Sequence, residues 1–170
     1  SYDMFATNGI LFNHESPRRH LGFVTQKVTY AASCAKLDIK NSIHLNEEGE
    51  PIVKDGKVSL GNLEAKRDWG FAGDYVEGMW KIMQAEKADD FVLATGETHS
   101  IQELCEEAYK YVGLNWEDHV TIDKRFIRPT ETGPLIGNPK KAKDILGWEP
   151  KTKFKELVKI MVDAHLARLK

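Results

Sequence analysis

Apolar and polar positions fall into blocks along this chain, some with the length of strands and some with the period of helices. Residues 4–12 form an apolar run with one glycine, and 10–12 in particular read as a buried strand. After a polar loop at 13–19, a helical period follows at Phe23, Val24, Lys27, Val28, Ala31, Cys34, Ala35 and Leu37. Residues 46–57 are polar, and Asp55-Gly56 is a turn signal within them, so the pattern predicts a surface excursion or a small hairpin. A short strand at 58–60 comes next. From about Gly73, an amphipathic helix runs through Val76, Met79, Trp80 and Met83, followed by a compact buried strand at 91–95.

The second half carries clearer punctuation. Ser100 and Glu103 form a capping box, in which the hydroxyl accepts the Glu103 amide while the carboxylate reaches back to the Ser100 N–H. The helix it starts has Ile101, Leu104, Cys105, Ala108 and Val112 on its apolar face and Gly113 as a stop. Residues 120–122 make another short strand. Asn138-Pro139 predicts a helix start that Gly147 closes. Thr152 is expected to cap a last helix, whose Phe154, Leu157, Val158, Met161, Val162, His165, Leu166 and Leu169 keep the i, i+3, i+4 rule. Strands alternating with helices argue an α/β fold.

Composition narrows the picture further. At 170 residues with 41% hydrophobic content the chain can bury one core, and 29% charged residues argue against disorder or a membrane class. A net charge of -2 supplies no global field for nucleic acid, so any anion site must be local. Cys34 and Cys105 sit in helix-like apolar patterns and read as small buried residues in a reducing compartment, which makes the cytoplasm the expected location. No apolar run approaches the roughly 18 residues of a membrane span. The start, Ser1-Tyr2-Asp3, has no initiator Met and no leader pattern, which is expected of a piece of a longer protein.

The candidate chemistry gathers at loops. Asn13-His14-Glu15-Ser16-Pro17-Arg18-Arg19 puts an amide, an imidazole and two guanidinium groups at a strand exit, where open α/β sheets bind anionic ligands. Lys27 follows on the next helix, then Lys66-Arg67-Asp68-Trp69-Gly70, then residues 125–131. A diphosphate offers several oxygens, which Arg engages through a fork and Lys as a point charge. Three such loops can converge on one pyrophosphate.

These motifs, taken in order, resemble one family. Asn8-Gly-Ile-Leu-Phe-Asn-His-Glu-Ser-Pro-Arg-Arg19, Phe23-Val-Thr25, Leu60-Gly-Asn-Leu-Glu-Ala-Lys-Arg-Asp-Trp-Gly70, Asp74-Tyr-Val76, Ala94-Thr-Gly-Glu97, Arg128-Pro-Thr-Glu131 and Leu146-Gly-Trp148 are similar to the GDP-mannose 4,6-dehydratases. The resemblance implies the C-terminal portion of a Rossmann-type extended short-chain dehydrogenase: late dinucleotide-sheet strands near 4–12 and 91–95, and a substrate-binding region mainly from 13–60 and 96–170. It further implies that Asn13, Lys27, Arg67, Arg128 and Glu131 bind the GDP-mannose substrate, and that His14 and Arg19 lie on the NADP side. For Asp68 it leaves a structural role, orienting the neighbouring arginine, with Trp69 walling the pocket. Trp148 and Gly147 read as a helix stop with core packing. The chain departs from the family pattern at His20-Leu21, at Gln26, in the long excursion at 46–57 and at Thr132-Gly133-Pro134. The first two fall in a region that the family uses for subunit contacts; the full-length protein is expected to be a dimer or tetramer.

The implied reaction is that of a lyase: C4 of GDP-mannose is oxidised by hydride transfer to NADP, water is lost across C5 and C6, and the hydride returns to C6. It needs a glycine-rich phosphate loop and a Tyr-x-x-x-Lys pair. Neither occurs. Tyr2, Tyr30, Tyr75, Tyr109 and Tyr111 are followed four residues on by Ala6, Cys34, Met79, Gly113 and Asn115. The expectation is therefore a chain that holds half of a site, is inactive alone and has its dinucleotide-binding half elsewhere. A non-catalytic GDP-sugar-binding or assembly module and a related nucleotide-sugar epimerase or reductase are the alternatives. Cut strands should also leave unpaired edges and exposed apolar surface.

Overall fold

A computed structural model describes residues 4–127, 133 and 135–170. Their order is β1 (Gly9–Leu11), β2 (Asn13–Glu15), α1 (Val24–Lys36), β3 (Val53–Lys54), β4 (Lys57–Leu60), β5 (Lys66–Arg67), β6 (Trp69–Phe71) and α2 (Ala72–Met83), then β7 (Phe91–Leu93), β8 (His99–Ser100), α3 (Ile101–Tyr111), β9 (Val120–Ile122), α4 (Lys140–Leu146) and α5 (Phe154–Leu169). The pairs β1–β7, β2–β6 and β4–β9 are parallel, while β3–β4 and β5–β8 are antiparallel. Parallel pairs need long crossovers, and helices fill them, which is the α/β architecture the alternation predicts. The excursion at 46–57 ends in the β3–β4 hairpin, whose Asp55 and Gly56 both take positive φ (52° and 75°) as a two-residue turn requires. Among the described residues, no helix is long and apolar enough to cross a membrane.

Two expectations at the start of the chain need correction. The run at 4–12 is a strand only over Gly9–Leu11; Met4 and Phe5 are exposed and Ile10 is 52% exposed. Apolar composition does not bury a strand whose outer face has no layer packed on it. Residues 13–15, read as loop, form β2, because Asn13, His14 and Glu15 pair with Trp69, Gly70 and Phe71. That partner lies more than fifty residues away, so no local pattern announces it. Phe12 is the pivot: its N–H donates to the Leu93 carbonyl (3.0 Å), after which the chain leaves β7 and joins β6.

Two cores hold these elements. The larger packs α1, α3 and α5 around Val28, Cys34, Leu104, Cys105, Leu157 and Val162, with Val53, Val58 and Leu60 from the hairpin side. Both cysteines are free and buried. The smaller joins α2, β7 and α4 through Tyr75, Ile82, Phe91, Leu93, Ala142 and Trp148. Here the reading of α2 is overturned: Val76, Met79, Trp80 and Met83 are 60%, 41%, 63% and 57% exposed, and the helix instead buries Asp74, Tyr75, Gly78 and Ile82. Gly78 explains the rotation. A Cβ there would lie 2.7 Å from Leu93 Cδ1 and 3.0 Å from Trp148 Nε1, so only glycine lets the helix approach on this side.

The helix ends follow the sequence signals with two exceptions, the first being α4, whose cap position is Pro139 rather than Asn138. Ser100 and Glu103 form both bonds of the capping box, and Gly147 ends α4 at φ 59°. Trp148 is buried, its indole N–H donating to the Asp74 carbonyl at 2.8 Å. Thr152, expected to cap α5, does not: the cap position is Lys153, and the Thr152 N–H is given to Asp74 Oδ2 (2.8 Å), which also takes the Lys151 N–H.

Candidate functional site

The change of strand partner at Phe12 builds the site. Where a strand leaves one neighbour for another, the two flanking pairs diverge and leave a crevice at the strand end. Asn13 faces Trp69 and His14 faces Gly70 in the β2–β6 register, and adjacent strands lie about 4.8 Å apart. This places Asn13 and His14 beside Trp69 and Gly70, which follow Arg67-Asp68 in the chain. His14 Nδ1 lies 2.8 Å from the Phe12 carbonyl, which can only accept, so Nδ1 donates to it, and in that tautomer Nε2 is an acceptor. The ring stacks on Tyr75 with centroids 5.4 Å apart. Gly70 makes room for that platform, since a Cβ there would sit 2.4 Å from the Tyr75 ring. The Tyr75 hydroxyl is buried with no hydrogen-bond partner among the described residues, and burial, then the Asp68 and Asp74 charges, push its pKa well above the usual phenol value.

The other expected ligands are placed unevenly. Arg19 turns back onto its own loop: Nε lies 3.6 Å from Glu15 Oε2, and the guanidinium covers the Phe23 ring at 3.6 Å. Glu15 is buried and receives the Thr25 hydroxyl (2.7 Å); burial raises its pKa against the pull of Thr25, Arg19 and His14. Lys27 sits 5.1 Å above the Phe126 ring and lines an open cavity of about 40 Å³ with Lys54, Lys57, Ser59 and Glu50. Arg67 lies in β5 opposite His99, bridges to Leu135, and donates from Nη1 to the Lys66 carbonyl at 2.7 Å. Arg128 and Glu131 lie outside the described residues, as do Thr132 and Pro134. Asn13 and His14 thus pair with Trp69 and Gly70, just after Arg67 in the chain, while Arg67 itself lies on β5 against His99 and Leu135 and Lys27 lies against the Phe126 side.

A family model described as GDP-mannose 4,6 dehydratase matches residues 1–161. The chain belongs to that family. GDP-mannose 4,6 dehydratase 1 of Arabidopsis thaliana is 51% identical over 166 residues, covering 98% of this chain and 42% of the relative. The Dictyostelium discoideum GDP-mannose 4,6 dehydratase is 44% identical, covering 100% and 48%. The chain therefore spans about half the length of these relatives, or less. Among solved structures, RMD from Pseudomonas aeruginosa, complexed with NADPH, superposes with a TM-score of 0.78 at 17% identity, covering 94% of this chain and 48% of that one. That likeness establishes the Rossmann-type fold.

Within this dehydratase-family chain, sequence reasoning misassigned or missed several side chains. Asp68 was expected to orient Arg67; the donors that its wholly buried carboxylate receives are on other segments: Oδ1 accepts from Thr95 N (2.9 Å) and Thr95 Oγ1 (2.6 Å), and Oδ2 from Gly96 N (3.1 Å) and Gly137 N (3.2 Å). Trp69 stacks on Phe154 within the larger core and is 3% exposed, and with Thr95, His99 and Phe154 it also lines a small cavity of about 10 Å³. Gln26, noted only as a departure from the family pattern, is buried; it donates to the Ser16 carbonyl (2.7 Å) and accepts from His165 Nε2 (2.6 Å). Nothing local marked Tyr75 as the platform under His14.

Proposed function

We propose that this chain supplies the GDP-sugar-binding portion of a GDP-mannose 4,6-dehydratase, a lyase that forms GDP-4-dehydro-6-deoxy-mannose and water. The observation that carries the reading is the family match over residues 1–161, and the β2–β6 register, which pairs the motif residues Asn13 and His14 with Trp69 and Gly70, is consistent with it. In this reading Asn13, Lys27 and Arg67 hold the sugar diphosphate, together with Arg128 and Glu131. Forked guanidinium donors match phosphate oxygens in pairs, and Lys27 adds a point charge.

His14 and Arg19 are assigned to the NADP side. His14 fits, because an acceptor Nε2 on a ring fixed by Phe12 and Tyr75 suits a hydroxyl or amide donor of a nicotinamide nucleotide. Arg19 fits less directly, since Glu15 already neutralises it and Phe23 covers one face. When bound, NADP supplies the hydride acceptor and donor of the reaction; this chain's residues orient the substrate diphosphate and present His14. The Tyr-x-x-x-Lys pair is absent, so the isolated chain is expected to be inactive, the full-length protein being a cytoplasmic homo-oligomer.

Two measurements test this. A full-length dehydratase carrying these residues should turn over GDP-mannose with NADP, and Arg67→Ala should raise KM for GDP-mannose about tenfold or more, as loss of a charged phosphate contact does. Turnover by the 170-residue chain alone, or an unchanged KM in Arg67→Ala, would overturn the corresponding part of the assignment.

A further inference from the structure

Asp68 stands out among the buried titratable groups because its carboxylate has no role in the reading above and yet receives four protein donors. Acceptor-only oxygens taking four N–H or O–H groups form a strong anchor, and an ionised acceptor makes each of those bonds stronger than a neutral one. The three residues it grips are not scattered. Arg67, its neighbour, is flanked by two stretches of chain, His99 in the β5–β8 pair and Leu135 through a single parallel bridge. Thr95 and Gly96 lie a few residues before His99, and Gly137 lies two residues after Leu135. One carboxylate therefore pins both neighbours of the Arg67 strand. Gly96, at φ 77°, turns the chain so that its amide faces Asp68. A Cβ at Gly137 would come within 2.2 Å of Ala94 Cβ, so that residue too is fitted to this junction.

We infer that Asp68 is a positioning residue for the diphosphate site: by clamping Thr95–Gly96 and Gly137 it fixes the two backbone segments between which Arg67 is held. This rests on the assignment of Arg67 to the substrate diphosphate. Asp68 itself touches no substrate. Its effect is exerted on where the guanidinium is presented, and misplacement of a binding group by even an ångström weakens its contact substantially.

Asp68→Asn keeps the shape but sets an amide NH₂ against N–H groups on one side or the other. In a full-length dehydratase carrying this chain, we expect it to raise KM for GDP-mannose about tenfold with kcat changed much less, because binding shared by ground state and transition state is what is lost. In the Arg67→Ala background the same substitution should add little, since both act on one contact. Thr95→Val, which removes only the hydroxyl donor, should give a smaller shift of the same kind and guards against a variant that fails to fold. The inference is overturned if Asp68→Asn lowers thermal stability with KM unchanged, or if its effect on KM persists undiminished in Arg67→Ala. If Arg67→Ala itself leaves KM unchanged, the underlying site assignment fails instead, and with it this role for Asp68.

Discussion

Single side chains decide how firmly this site is held, and two of them can be tested apart from catalysis. Tyr75 supports His14 through its ring, while its hydroxyl is buried without a partner among the described residues. Tyr75→Phe should therefore be neutral or stabilise by up to about 1 kcal/mol in denaturant unfolding, since no bond is lost and an unsatisfied polar atom is removed. Tyr75→Ala should cost about 3–5 kcal/mol, because it empties the smaller core beneath His14. His165 makes the pH prediction. Burial first, then Arg168 and His44, lower its pKa to about 4, and its Nε2–H is donated to Gln26. A histidine depressed in the folded state contributes nothing adverse above its unfolded value near 6.5; as pH falls from there towards 4, the unfolded chain takes the proton first and stability is lost. The loss should reach at most about 3 kcal/mol. Glu15, whose pKa is raised, acts with the opposite sign, so the measurement is the difference between the wild-type chain and His165→Gln: the variant should show a flatter acid limb in urea midpoints between pH 6.5 and 4. Equal slopes would remove His165 as the cause.

At the level of elements, propensity and contact compete, and Gly78 shows which wins. Replacing a helical glycine by alanine favours an exposed helix by about 1 kcal/mol. Here the added methyl meets Leu93 and a Trp148 ring whose N–H is tied to the Asp74 carbonyl, so it cannot step aside. Gly78→Ala should thus destabilise by about 1–3 kcal/mol in thermal or denaturant melts. Ser100→Ala should cost about 1 kcal/mol and raise hydrogen exchange at the first turn of α3, where the capping box satisfies two N–H groups. These elements also show what was legible. The α3 cap, the Gly147 stop, the Asp55-Gly56 hairpin and the α5 apolar face are local signals, and local signals survived. The failures were long-range. β2 exists because of Trp69–Phe71, the buried side of α2 is chosen by Gly78 against Leu93, and the Thr152 amide is claimed by Asp74. The same division runs through the site: the motif residues were assigned from their resemblance to a family, whereas Asp68's partners lie 27 to 69 residues away and carry no signature that periodicity could reveal.

Across the whole molecule, two modest cores must carry a chain whose parallel pairs are only three residues long, and the cost appears on the surface. Val76, Met79, Trp80 and Met83 lie at i, i+3, i+4 and i+7 of α2 and are all exposed, so they form one apolar stripe instead of isolated surface residues. Ile10 on β1, the strand from which the site segment continues, is also exposed. Contiguous apolar surface of this kind associates in water with a driving force of roughly 25 cal/mol for each Å² covered. The 170-residue chain should therefore show concentration-dependent association by light scattering or sedimentation. Trp80→Glu combined with Met83→Lys should reduce it, since exposed substitutions change folding stability by only about 0.5 kcal/mol or less. The two substitutions stand three residues apart and carry opposite charges, so they attract across the helix surface and add no local strain. Association that persists unchanged in the double variant would move the cause away from α2, to the open edge of β1, and Ile10→Lys would then be the variant that restores the monomer.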